Sequence, residues 1–200
     1  MKTSIKMALI MLGIFLLQGC GSSLMVKSKS SVADVTNKEK ATIVFMRSSF
    51  VAGGIGVEVF EINNDQLEFV GALPNGSKIV HNTTPGSKVY MAYGMAADFM
   101  LATVEKNKTY YSIVRPNWGT GGFAPTPIRK DGPSKYNMQS SDFKKWKKDT
   151  TLLEKKPSAN EWFEKNRAKY QKIYEEYWSR FKNKTDLQKL ERTINRSDGI

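Results

Sequence analysis

Few residues in this 200-residue chain could do covalent chemistry. There is one cysteine, Cys20, and one histidine, His81. A nucleophile activated by imidazole would rest on His81 alone, and the numbers leave no zinc site built from several His and Cys ligands. His81 falls inside an extended segment without an evident carboxylate partner. Glu58, Glu61 and Asp98 could supply the paired carboxylates of a glycosidase, but Glu58 and Glu61 lie three apart on one strand and so on opposite faces. Solvated strand positions are expected for all three. Gly53-Gly54-Ile55-Gly56 and Gly119-Thr120-Gly121-Gly122 lack the Gly-Lys-Ser/Thr continuation of a phosphate loop and read as turns. No catalytic residue, metal ligand or cofactor is expected. Two sets of contact residues remain. Arg47, at the end of a strand, is either an anion contact or half of a surface ion pair. Trp118 and Phe123, in a Gly- and Pro-rich connector, either present an aromatic contact for a ligand or partner or fold back over an open end of the domain.

Cys20 stands in a distinctive setting. Lys2 and Lys6 precede an uncharged apolar run from Met7 to Leu17, and Gly19 sits directly before the cysteine. This is the layout of an export signal. The run is about 11 residues, whereas a helix needs about 20 to cross a bilayer, so cleavage is expected and a permanent span is not. Leu17-Gln18-Gly19-Cys20 resembles the lipobox of bacterial lipoproteins. The resemblance implies that residues 1–19 are a signal peptide and that Cys20 becomes the acylated N-terminus, with palmitate among its chains. Gly21 and Ser22 follow where an Asp would resemble an inner-membrane retention signal, which points to the outer membrane, facing the periplasm.

The formal net charge is +12. In the cytosol such a charge would suggest nucleic acid, but export removes that partner. Anionic lipid head groups, peptidoglycan carboxylates and acidic envelope proteins remain, and solubility alone is the other explanation.

Residues 20–40 are Ser- and Lys-rich and read as a flexible tether. From Ala41 the chain becomes a series of β segments, 41–47, 56–62, 67–73, 78–82, 88–93, 99–104 and 109–114, separated by Gly, Pro, Asn or Lys turns. This spacing predicts an antiparallel β-sandwich or small barrel over 41–135. The connector 116–127 reads as irregular. A basic, aromatic-rich helical segment follows over 136–200: a short helical turn over 142–148, then a strand or linker at Thr150–Leu153. Ser158-Ala159-Asn160-Glu161 reads as a capping box for a helix to Lys182. On that helix Trp162, Phe163, Tyr170, Ile173, Tyr174, Tyr177, Trp178 and Phe181 fall within roughly a 160° arc. This face can pack on the sheet, pair with a second copy to form a homo-oligomer, or lie on a membrane. Thr185 reads as the cap of a last short helix, with frayed residues after it. The fold class is therefore mainly β with a C-terminal helix, α+β.

Val44-Phe45-Met46-Arg47, Gly53-Gly54, Leu73-Pro74-Asn75-Gly76-Ser77 and Thr84-Pro85-Gly86 before Lys88-Val89-Tyr90 resemble an uncharacterised family of small bacterial lipoprotein domains similar to PEGA-type β-sandwich modules. The resemblance spans Ala41 to Arg115 and implies a compact envelope domain without established catalysis. Two functions follow as expectations: a lipid-anchored envelope protein with a non-enzymatic binding or structural role, or a periplasmic carbohydrate-active or hydrolytic domain using carboxylates near Trp118.

Overall fold

The computed structural model describes residues 24–49 and 51–200. Cys20 and residues 1–19, read above as a signal peptide, lie outside the described residues. Two sheets stack face to face. One runs in the order β1 (Met25–Lys27), β10 (Thr151–Lys155), β5 (Ser77–Thr83), β2 (Ala41–Arg47), β8 (Thr109–Asn117), β9 (Gly122–Ile128). The other runs β11 (Thr193–Ile194), β7 (Ala96–Val104), β6 (Gly86–Gly94), β3 (Glu58–Asn63), β4 (Gln66–Ala72). The sandwich is open and does not close into a barrel. Its sheets are mixed rather than purely antiparallel, because β2 runs parallel to β8, β10 to β5 and β11 to β7.

The strands are apolar on both faces because both faces of both sheets are covered. Between the sheets, Ile43 and Phe45 meet Tyr90, with Phe45 and Tyr90 edge to face at 5.2 Å. Outside the first sheet, Val44, Met46 and Tyr111 pack on Phe143 of α1 (Ser141–Asp149), a helix capped by the Ser140 hydroxyl. Outside the second sheet lies α2 (Ser158–Lys182). Phe60 and Phe69 meet Phe163, and Phe99 meets Trp178 and Phe181, at centroid separations of 5.0–5.8 Å. The aromatic face of α2 thus packs on the second sheet of its own chain, with Trp162, Ile173, Tyr177 and Trp178 partly buried. Its N-terminus differs from the capping box read in the sequence. Pro157 is the cap, no side chain caps the first turn, and Glu161 pairs with Lys165 instead. A true capping box starts α3 (Asp186–Glu191), between Thr185 and Gln188.

The segment boundaries at 40 and 135 do not survive. Residues 25–27 form β1, Val35 O accepts from Asn82 Nδ2, and Leu24 and Met25 are buried, so 24–40 is part of the body rather than a tether. β10 and β11 belong to the sheets, so 136–200 is no separate appendage. β8 runs on to Asn117 and β9 occupies the second half of the connector read as irregular. Pro125 and Pro127, two apart on this edge strand, turn their missing N–H groups away from β8. The final residues are docked, not frayed: Ile200 and Thr109 exchange two backbone hydrogen bonds, and Arg129 binds Asp198, Leu190 O and Thr193 O. The other long edge, β4, has its Leu67 and Phe69 carbonyls capped by Arg167 and Lys155, which blocks strand addition there.

Candidate functional site

At one end of the sandwich four connections converge: residues 48–57, 73–76, the β6–β7 turn at 94–96 and the β8–β9 hairpin at 117–122. Arg47 organises them from below. It is fully buried, Nη1 donates to the carbonyls of Ile55 and Leu73 at 2.6 and 2.9 Å, and Nη2 donates to Ala52 O at 2.8 Å. The guanidinium lies 4.4 Å from the centroid of the Phe123 ring. Arg47 is therefore neither a surface ion pair nor an anion contact; burial lowers it to about 10, against the attraction of Glu58.

The aromatic pair expected in the connector divides. Phe123 is buried beneath Arg47, while Trp118 at the hairpin tip is 78% exposed. The tip has a rigid base. Asn117 O accepts from Thr120 and Gly121 N–H, and Asn117 Nδ2 donates to Asp98 Oδ2 at 2.8 Å. A side chain at Gly122 would fall 2.3 Å from Ala96 O, so glycine alone allows the hairpin to meet the β6–β7 turn. On that turn Met95 is 69% exposed with φ 72°, and Val51 in the first connection is also exposed. Three apolar side chains thus project at this end from loops whose backbones are fixed below them, a geometry suited to contact with a partner. Met95 and Val51 escape sequence reasoning because Met95 is one apolar residue in a Gly-Met-Ala turn and Val51 stands in the apolar run Phe50-Val51-Ala52, where nothing local marks exposure.

The carboxylates also differ from their expected solvated state: Glu58, Glu61 and Asp98 are all buried. Glu61 and His81 make the partnership missing from the sequence. His81 Nε2 lies 2.5 Å from Glu61 Oε2, and Thr83, Tyr90 and Lys88 complete the shell at 3.0, 3.0 and 3.2 Å. Burial alone would raise Glu61, but the hydrogen bond and charge of His81, the Thr83 hydroxyl and the Lys88 ammonium hold it down at about 2. The Tyr90 hydroxyl is raised by its burial and by Glu61. A carboxylate with four donors is a saturated acceptor, and this cluster ties β3, β5 and β6 together across the sandwich. Glu58 lies on the opposite face of β3, where burial raises it to about 7 against its backbone hydrogen bond, Lys169 and Arg47.

Asp98 is occupied by Asn117, by its neighbour's N–H and by Arg192 at 3.3 Å. A cleft of about 190 Å³ beside the Trp118 hairpin has Asp98 as its one carboxylate, facing Arg180 and Lys184. It does not assemble the two-carboxylate site that the hydrolytic reading requires. Among the described residues, no group of three or more His, Cys, Asp or Glu side chains could hold a metal ion, and no helix is long and apolar enough to cross a membrane. Compared with known proteins, the chain matches no family model and no curated sequence.

Proposed function

We propose that this protein is a lipid-anchored lipoprotein of the cell envelope, at the outer membrane facing the periplasm, with a non-enzymatic binding or structural role. The observation that carries the reading is Leu17-Gln18-Gly19-Cys20 at the end of a short apolar run behind two lysines. Support for a non-enzymatic role comes from the site geometry, where Glu61 and Asp98 have their oxygens taken up by donors within the fold. The resemblance to PEGA-type envelope domains belongs to the same proposal.

Leu24, four residues after Cys20, is buried in the body. Extended chain spans at most about 3.6 Å per residue, so an acylated Cys20 would hold the fold within about 15 Å of the lipid. The Val51, Met95 and Trp118 end then serves as the contact for an envelope component. In cells fed a radiolabelled fatty acid, the wild-type chain should be labelled and sediment with membranes, and Cys20→Ser should be unlabelled and unprocessed or soluble. Equal processing and membrane association of the two would remove the anchor. Site-specific photocrosslinking at Trp118 should capture one defined envelope component; a surface that captures nothing above an exposed control position such as Ser179 would remove the contact role.

A further inference from the structure

A second concave site lies away from the loop end, on the outer face of the first sheet between the turn at 31–36 and α1. It is a cleft of about 390 Å³ whose wall is formed by Val32, Ala33, Val44, Met46 and Tyr111. Lys78 and Lys147 also line it. Lys78 Nζ donates at 2.7 Å to the Lys147 carbonyl, closing the end of α1, and Lys147 Nζ lies 5.6 Å from the Tyr111 ring centroid. Neither ammonium has a carboxylate within ion-pair distance among the described residues. Burial and the neighbouring Lys147 both lower Lys78, as two cations facing one cleft without an anion should.

An apolar trough with a few convergent polar groups is the usual form of a small-molecule site, and this volume stands near the low end of the range of about 300–1,000 Å³ for such sites. It has room for one alkyl chain and not for the paired chains of a phospholipid. The two lysines set the sign of the head group. We infer that this cleft binds a free single-chain amphiphile with an anionic head, of the fatty-carboxylate type, its chain along Val44 and Met46 and its head between Lys78 and Lys147. This binding is independent of acylation at Cys20.

The test uses full-length protein in its native membranes and a photoreactive twelve-carbon carboxylate, with adducts mapped by peptide mass spectrometry. Adducts should fall on peptides holding Val32, Val44, Met46 or Tyr111, and dodecanoate should compete while dodecanol does not. Lys78→Gln with Lys147→Gln should lower labelling about tenfold, since charge-assisted hydrogen bonds to the head are lost. Ala33 is exposed, so its replacement leaves the fold intact. Ala33→Glu, which sets a like charge beside the anionic head, should lower labelling well below that of Ala33→Lys. Adducts spread over the surface, equal competition by dodecanol, or identical behaviour of the two Ala33 variants would each overturn the proposal. Labelling that appears only in Cys20→Ser would assign the cleft to the protein's own acyl group and overturn it equally.

Discussion

Two buried charges sit at different levels of the same sandwich and are satisfied in opposite ways. Arg47 answers to main-chain carbonyls from two connections and to one ring, whereas Glu61 answers to side chains from two further strands. Carbonyls on loops have no fixed position of their own, so the guanidinium imposes one on them. The donors around Glu61 are already held by the β ladder, so the carboxylate finds its shell ready. Arg47 is a device for shaping the loop end, and Glu61 is a rivet between sheets. A charge buried against dipoles depends on every one of its bonds, while a charge buried against counter-charges also carries pH dependence.

The sharpest way to break this contrast is at Arg47. Arg47→Met leaves three carbonyls without their donor and should cost about 3 kcal/mol or more in denaturant unfolding. The same substitution should loosen hydrogen-exchange protection around residues 52–57 before the rest of the sheet. Lysine cannot span the three carbonyls, so Arg47→Lys should recover only part of the loss. A neutral effect of both would show that the loops shape themselves.

Glu61→Gln comes next. It keeps one acceptor but removes the countercharge of Lys88, and a loss of about 2 kcal/mol is expected. The pH profile separates this residue from its neighbour Glu58. Glu61 is depressed from 4.5 to about 2, so its contribution is present above 4.5 and is lost as pH falls toward 2. Glu58 is raised from 4.5 to about 7, so the folded state gains from its protonation below 4.5 and loses that gain as pH rises through 7. Stability should therefore pass through a maximum near pH 4.5. Glu58→Gln should flatten the limb above that maximum, and Glu61→Gln the limb below it. A profile unchanged by either variant would refute these assignments. The smallest effect belongs to Trp118→Ala, which should alter stability by no more than about 0.5 kcal/mol while removing partner capture.

How much of this was legible depends on what each signal competes with. The strands from Ala41 to Val114 can be read because turn residues punctuate them, and Ala41–Arg47 agrees at both ends with β2. β9 cannot, because Gly121, Gly122, Pro125 and Pro127 signal a loop when taken locally. Only the absence of a neighbour on its far side makes those prolines acceptable. The burial of Arg47, Glu58, Glu61 and Asp98 was hidden for another reason. Alternation identifies a solvated face only when one face is solvated, and here a helix covers the outside of each sheet. The pairing of Glu61 with His81 joins residues twenty apart on strands in different sheets, which no local pattern encodes. Trp118 could be named as a candidate from its type and loop, but its separation from Phe123 depends on where Arg47 lies.

The insertion of β10 between β1 and β5 has a consequence for how the chain must come together. Strand β5 gains that neighbour only after some seventy further residues have been made, and the rings of Phe60, Phe69 and Phe99 stay uncovered until α2 arrives. Contacts at such separation form slowly. A polypeptide released at residue 135 should be sticky and protease-sensitive, and the full-length product should acquire resistance in one late step; early resistance of the shortened product would exclude this order of events. The C-terminal third is thus the keystone, set last, on which the earlier strands lean.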